Sequence, residues 1–142
     1  MSEVHINVYD ISSGMARQMS QAFLGKYIEG VWHTGVVVYG TEFFFGGGIC
    51  EAPPRTTPFG QPVKEIKMGV TEIPEEVFRE YLSSIAGEFC FEKYDLFNHN
   101  CNNFSNEVCM FLLGKGIPED IVNLPQEFLN TPLGMIKTLL DS

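Results

Sequence analysis

Between residues 97 and 113 the chain changes character within a few positions. Phe97-Asn98-His99-Asn100-Cys101-Asn102-Asn103-Phe104-Ser105 is mostly polar and gives way to Val108-Cys109-Met110-Phe111-Leu112-Leu113. Asn, His and Ser side chains compete for nearby backbone groups and so favour turns and caps, whereas Phe104, Val108, Phe111 and Leu112 recur at helical spacing on one face. The pattern predicts a helix opening at Cys101 and closed by the C-cap chemistry of Gly114-Lys115-Gly116-Ile117-Pro118. Any fold must bury that apolar face and leave Cys101 at the helix mouth. Unpaired N–H groups and the positive dipole end gather there, which is expected to stabilise a thiolate. Cys101 is then a candidate nucleophile, or a small residue that merely fits a helix entrance.

The partners for this helix are β-rich. Val4, Ile6 and Val8 alternate with His5, Asn7 and Tyr9, the period of a half-buried strand, with His5 on the solvent side. Val31-Trp32-His33-Thr34-Gly35-Val36-Val37-Val38-Tyr39 is β-branched and aromatic, and Gly40-Thr41 turns it into Glu42-Phe43-Phe44-Phe45 as a hairpin. His33 shares a face with Val31, Gly35 and Val37. It is either a satisfied core histidine or a functional base beside a glycine that leaves room for another chain. Gly46-Gly47-Gly48 matches no nucleotide loop and suggests flexibility or close approach. Residues 52–62, rich in proline, read as a surface loop, and residues 63–68 have some strand character.

Two further helices frame the core. After Ser12-Ser13-Gly14, Met15, Met19, Ala22 and Phe23 repeat at helical spacing up to Gly25. Pro74-Glu75-Glu76 then leads Phe78, Leu82 and Ile85, with Gly87 as a stop. Pro118, Pro125 and Pro132 punctuate short helical pieces in the tail, whose Leu133, Ile136, Leu139 and Leu140 suit core packing, a lid or a subunit contact. The expected class is α+β, a small antiparallel sheet packed with helices in one domain spanning residues 1–142.

Charge and cysteine usage narrow the function. A net charge of −9 with only nine Lys and Arg supplies no basic stripe for phosphates, which argues against nucleic acid. No apolar run approaches the roughly 20 residues needed to cross a bilayer, and the start has no secretory pattern, so a soluble intracellular protein is expected. Cys50, Cys90, Cys101 and Cys109 form no CxxC pairing, which leaves no evident metal site. Cys101 and Cys109 on one helix stand about 12 Å apart and cannot bridge, so reduced thiols are expected.

Trp32-His33-Thr34-Gly35 on a strand, followed much later by Asn98 to Glu107 opening a helix, resembles the PPPDE family of permuted papain-fold peptidases. The likeness extends to Val8-Tyr9-Asp10, Leu24-Gly25-Lys26, Ile28-Glu29-Gly30, Glu42-Phe43-Phe44-Phe45-Gly46-Gly47-Gly48 and Tyr81-Leu82-Ser83-Ser84. The resemblance implies a permuted papain-like fold with Cys101 as nucleophile and His33 as base and later acid, in a dyad without a required third carboxylate. It further implies cleavage of the isopeptide bond between SUMO and a substrate lysine, by a cytoplasmic and nuclear homodimer that needs no cofactor. The backbone N–H of Cys101 is expected to stabilise the oxyanion, with Asn98, Asn100 or Tyr94 as second donor, although Asn100 is equally suited to capping the helix. Trp32, Gly35, Gly46, Gly47 and Gly48 are candidate walls of a slot for a Gly-Gly tail, or glycines that only relieve turn strain. The Asn-Cys-x-x-Phe pattern is also similar to lecithin:retinol acyltransferase-like enzymes. A thioesterase, depalmitoylase or acyltransferase using the same dyad is therefore the alternative.

Overall fold

A computed structural model describes residues 1–11, 32–95 and 99–122. The helix expected over residues 15–25, Asn98 and the tail beyond residue 122 lie outside the described residues. Five strands form one antiparallel sheet in the order β4-β3-β2-β1-β5. They are β1 (Ser2–Asp10), β2 (Trp32–Val38), β3 (Thr41–Phe45), β4 (Ile49–Ala52) and β5 (Lys64–Thr71). Helices α1 (Glu75–Ile85), α2 (Cys101–Leu113) and α3 (Glu119–Val122) follow, with a 3-10 turn at Phe91–Lys93. This is the α+β architecture that the sequence implies.

Patterning explains the main elements. Val38 pairs with Thr41 across Tyr39 and Gly40, both at positive φ (55° and 73°), so the turn twists the same way as the strands it joins. Glu75 and Glu76 complement the dipole at the start of α1, whose Phe78, Leu82 and Ile85 are buried. In α2, Phe104, Val108, Cys109 and Leu112 are buried and Phe111 is half-buried, while Gly114 closes the helix at φ 73°. The core lies between the helices and the sheet face carrying Val4, Ile6, Val8, Val36, Phe43 and Phe45. Stacked Tyr81 and Phe111 rings, 3.9 Å apart, join α1 to α2.

The opposite sheet face departs from the sequence reading. A half-buried β1 would expose Asn7 and Tyr9, yet both are wholly buried, and only His5 keeps partial exposure. The reason is a polar cluster built around Glu42, a fully buried carboxylate that accepts from Asn7 Nδ2 (3.1 Å), Tyr9 Oη (2.6 Å) and the Arg55 N–H (3.0 Å). Period-two patterning reads polar residues as solvent-facing and cannot register that they satisfy one another. Residues 53–63 are correspondingly more than a surface loop. Arg55 N–H is fixed to Glu42, Val63 N–H donates to Val8 O at 2.7 Å, and Phe59 between them turns inward. Strand β4, unanticipated, pairs Phe45 with Ile49, so Gly46, Gly47 and Gly48 form a turn closed by Gly46 N–H on Gly48 O at 3.0 Å.

Gly35 has a specific reason to be glycine. A Cβ there would meet the Glu42 carboxyl, with Cδ and Cγ both at 2.8 Å. Gly35→Ala should therefore cost about 2 kcal/mol or more of folding stability, because a cluster held by three hydrogen bonds cannot shift freely. Denaturant midpoints of variant and parent check this, and a loss below about 0.5 kcal/mol would contradict the packing described.

Candidate active site

Helix α2 is anchored at its mouth by Asn100. Its side chain accepts from the N–H groups of Asn102 (2.8 Å) and Asn103 (3.3 Å), and Asn103 Oδ1 accepts from the Asn100 N–H (2.8 Å), a reciprocal capping box. The side chain weighed as an oxyanion donor is thus engaged as the cap. Tyr94 lies near the same mouth, its ring against Phe45. Reciprocal backbone bonds join Asp95 and His99, both 2.9 Å, and His99 Nδ1 donates to Lys93 O at 3.0 Å while its ring stacks on Phe89.

The Cys101 sulfur sits buried among donors. The backbone N–H groups of Thr34, Asn102 and Cys101 and the Tyr94 hydroxyl lie near enough to favour its thiolate, while its own weak S–H contact to Asn102 Oδ1 is 3.8 Å long. Desolvation nevertheless dominates and pushes the thiol up to about 11, with those donors pulling against it. This corrects the expectation from helix position alone. A dipole end favours an anion by about 0.3–1 kcal/mol when exposed, which does not offset removal of the sulfur from water. Burial, with the neighbouring thiol second, also raises Tyr94 to about 12.

His33 lies on β2, one residue from Thr34. Phe59 stacks on its ring at 3.6 Å and 27°, Phe44 meets it edge-on at 5.9 Å, and Tyr9 lies tilted at 5.7 Å. The ring is 3% exposed, its Nε2 has no hydrogen-bond partner, and burial lowers it to about 3. Both groups are therefore neutral at pH 7, and thiol and imidazole do not hydrogen-bond to one another in this structure.

Three residues that the sequence reading passed over join the two elements. Thr34 Oγ1 lies 2.8 Å from both Asn102 Oδ1 and Ser105 Oγ, and Asn102 Nδ2 donates to Trp32 O at 3.0 Å. Strand β2 pairs with β3 only from Val36 onward, so Trp32, His33 and Thr34 are laddered to β1 alone, and the Trp32 carbonyl and the Thr34 side chain tie this end of the strand to α2. Thr34 stands in a largely apolar strand and Asn102 and Ser105 in a polar helix mouth, and pairing across 68 and 71 positions is invisible to local pattern.

The proposed slot walls fare differently. Trp32 is half-buried beside this junction, with the Lys64 ammonium 5.7 Å over its ring. Gly35 leaves no space for a substrate, because Glu42 occupies it. Positions 47 and 48 have open space where a Cβ would stand, and position 46 meets only the Phe44 ring edge at 4.0 Å, so these glycines shape the β3–β4 turn rather than a tight wall.

Residues 2–140 match the family model described as "PPPDE putative peptidase domain". The chain is 53% identical over 143 residues to a protein named desumoylating isopeptidase 1 in Homo sapiens, covering 98% of this chain and 84% of that one. It is 51% identical to the protein of the same name in Xenopus laevis, with the same coverage. A Caenorhabditis elegans protein named desumoylating isopeptidase 1 homolog is 30% identical, over 81% of this chain and 36% of its own length.

The buried imidazole fixes a pH response. A neutral folded His33 and an unfolded one titrating near 6.5 mean that the unfolded chain binds the extra proton between those values. The associated stability is present above pH 6.5 and is lost as pH falls towards 3. By pH 4 the loss should reach about 3 kcal/mol, and His33→Asn should remove that part of the slope in urea melts taken between pH 7 and 4. Parallel slopes in variant and parent would show that the ring is not held neutral.

Proposed function

The chain belongs to the PPPDE peptidase family, and from that premise we propose that it is a cysteine isopeptidase that releases SUMO from conjugated lysines, with Cys101 as nucleophile and His33 as its acid–base partner. The observation that carries the residue assignment is the tie from Thr34 to Asn102 and Ser105, which fastens the strand bearing His33 to the helix mouth bearing Cys101. The substrate assignment rests on the named relatives, and the SUMO–lysine bond is the linkage their names imply.

In this reading, His33 Nε2 takes the thiol proton as the sulfur attacks the carbonyl carbon of the terminal glycine. The unpartnered state of Nε2 leaves it able to accept. Negative charge moves to the carbonyl oxygen, for which the Cys101 N–H at the helix mouth and the nearby Tyr94 hydroxyl are the donors of this reading. Collapse of the adduct breaks the C–N bond, and the lysine amine leaves with the proton held by His33. Water, deprotonated by the same imidazole, then hydrolyses the thioester and frees the glycine carboxylate and the thiol.

Four free cysteines fit the reducing setting of cytoplasm and nucleus, which we include in the proposal together with a homodimer. Among the described residues no helix is long and apolar enough to cross a membrane. Sedimentation of the purified chain tests the dimer.

Cys101→Ser and His33→Ala should each lower turnover of a SUMO–lysine conjugate by about a thousandfold or more, while Cys50→Ser and Cys90→Ser stay within about twofold of the parent. Tyr94→Phe should lower kcat by about a hundredfold at nearly unchanged stability. Ubiquitin conjugates and a palmitoyl thioester serve as competing substrates. Parent-like turnover by Cys101→Ser would refute the nucleophile, and faster cleavage of the thioester than of the SUMO conjugate would refute the substrate class.

A further inference from the structure

The polar cluster on the far face of the sheet reaches His33 by a second route. Glu42 ties two segments to its own strand, β1 through Asn7 and Tyr9 and the 53–63 loop through the Arg55 N–H near its start. Arg55 adopts φ 66°, a left-handed conformation that costs a non-glycine residue on the order of 1 kcal/mol and persists only where its surroundings fix it. Those surroundings are Glu42 on the Arg55 amide, Glu65 on its guanidinium at 2.7 Å, and Thr56 N–H on Pro53 O at 3.2 Å. The far end of the loop is pinned by Val63 N–H on Val8 O. Between these fixed points Phe59 is delivered to the face of His33, and Tyr9, whose hydroxyl Glu42 accepts, stands 6.1 Å from Phe59 and 5.7 Å from His33.

We propose that Glu42 is a positioning residue for His33, acting through Arg55 and Phe59 on one side and Tyr9 on the other to hold the imidazole in a single rotation. The proposal rests on the dyad reading above but adds a residue outside the dyad. Glu42 bonds to Asn7, Tyr9 and the Arg55 amide rather than to the imidazole itself, and a ring held by stacking alone rotates unless the stacking partner is itself fixed. Glu42 fixes it. The elements packed against the ring are β1, β3 and the 53–63 loop, whose ionisable groups are Glu3, His5, Tyr9 and Asp10 on β1, Glu42 on β3, and Arg55 on the loop, its guanidinium turned to Glu65.

The test combines Glu42→Ala, Glu42→Gln, Phe59→Ala and the double variant Glu42→Ala/Phe59→Ala in the full chain. Each is followed by kcat and KM on the conjugate and by NMR titration of the His33 ring. Loss of the loop anchor should lower kcat about 10- to 100-fold with KM within about threefold, and should raise the His33 midpoint towards the ordinary 6.5. Phe59→Ala should do the same. The double variant should be no worse than the poorer single one, since both act on one contact. Glu42→Gln, whose Oε1 still accepts from Asn7 and Arg55, should recover most of the activity. The ring titration requires no substrate, so it stands even if the SUMO conjugate proves to be the wrong substrate. A folded Glu42→Ala or Phe59→Ala protein with parent-like His33 titration and kcat overturns the proposal, as do additive effects in the double variant. Should Glu42→Ala not fold, the glutamine and Phe59 variants decide on the same criteria.

Discussion

The hydroxyl of Thr34 is the contact on which the site depends. It bridges Asn102 and Ser105 on α2 at a point where β2 has left its pairing with β3, so no backbone ladder holds that end of the strand on its β3 side. Each such bond contributes about 1 kcal/mol net, yet leaving a buried partner unpaired costs about 1–3 kcal/mol. A network in which every member is engaged is therefore specific to one register. Shifting β2 by one residue would put His33 where Thr34 stands and leave Asn102 and Ser105 without their common partner. Asn102 contributes twice, since its amide also donates to Trp32 O.

The same burial that makes these bonds specific sets the protonation of the unliganded site. With burial holding the thiol up and the imidazole down, transferring the proton from sulfur to nitrogen in the resting protein is uphill. The site is accordingly at rest as a neutral pair, and reaction requires the substrate to bring donors and charge into register with the sulfur. That arrangement keeps a buried nucleophile from reacting indiscriminately with small electrophiles, because the thiolate is the reactive form. Catalysis then draws on interactions made in the transition state rather than on a preformed ion pair.

Much of this was legible in the sequence. The α2 pattern, the hairpin and the Pro74-led helix follow from local periodicity and cap chemistry, and they appear within a residue or so of the expected bounds, the hairpin turn falling at Tyr39-Gly40 rather than at Gly40-Thr41. What local pattern missed were buried polar residues whose partners are distant in sequence. Glu42 with Asn7 and Tyr9, and Thr34 with Asn102 and Ser105, each looked like a polar residue turned to solvent or a cap. Strand β4, four residues long, fell below any usable period. The chemistry of Cys101 was misjudged in sign because helix position is readable from sequence and desolvation is not.

The account is tested most directly by a structure of the protein after reaction with a SUMO chain whose C-terminal glycine carries a thiol-reactive group. It predicts a covalent bond to the Cys101 sulfur and a His33 ring nitrogen within about 4 Å of that sulfur, with the Thr34–Asn102–Ser105 bridge unchanged. A bond to another residue, or a Cys101 sulfur lying more than about 6 Å from both His33 ring nitrogens in the adduct, would contradict it.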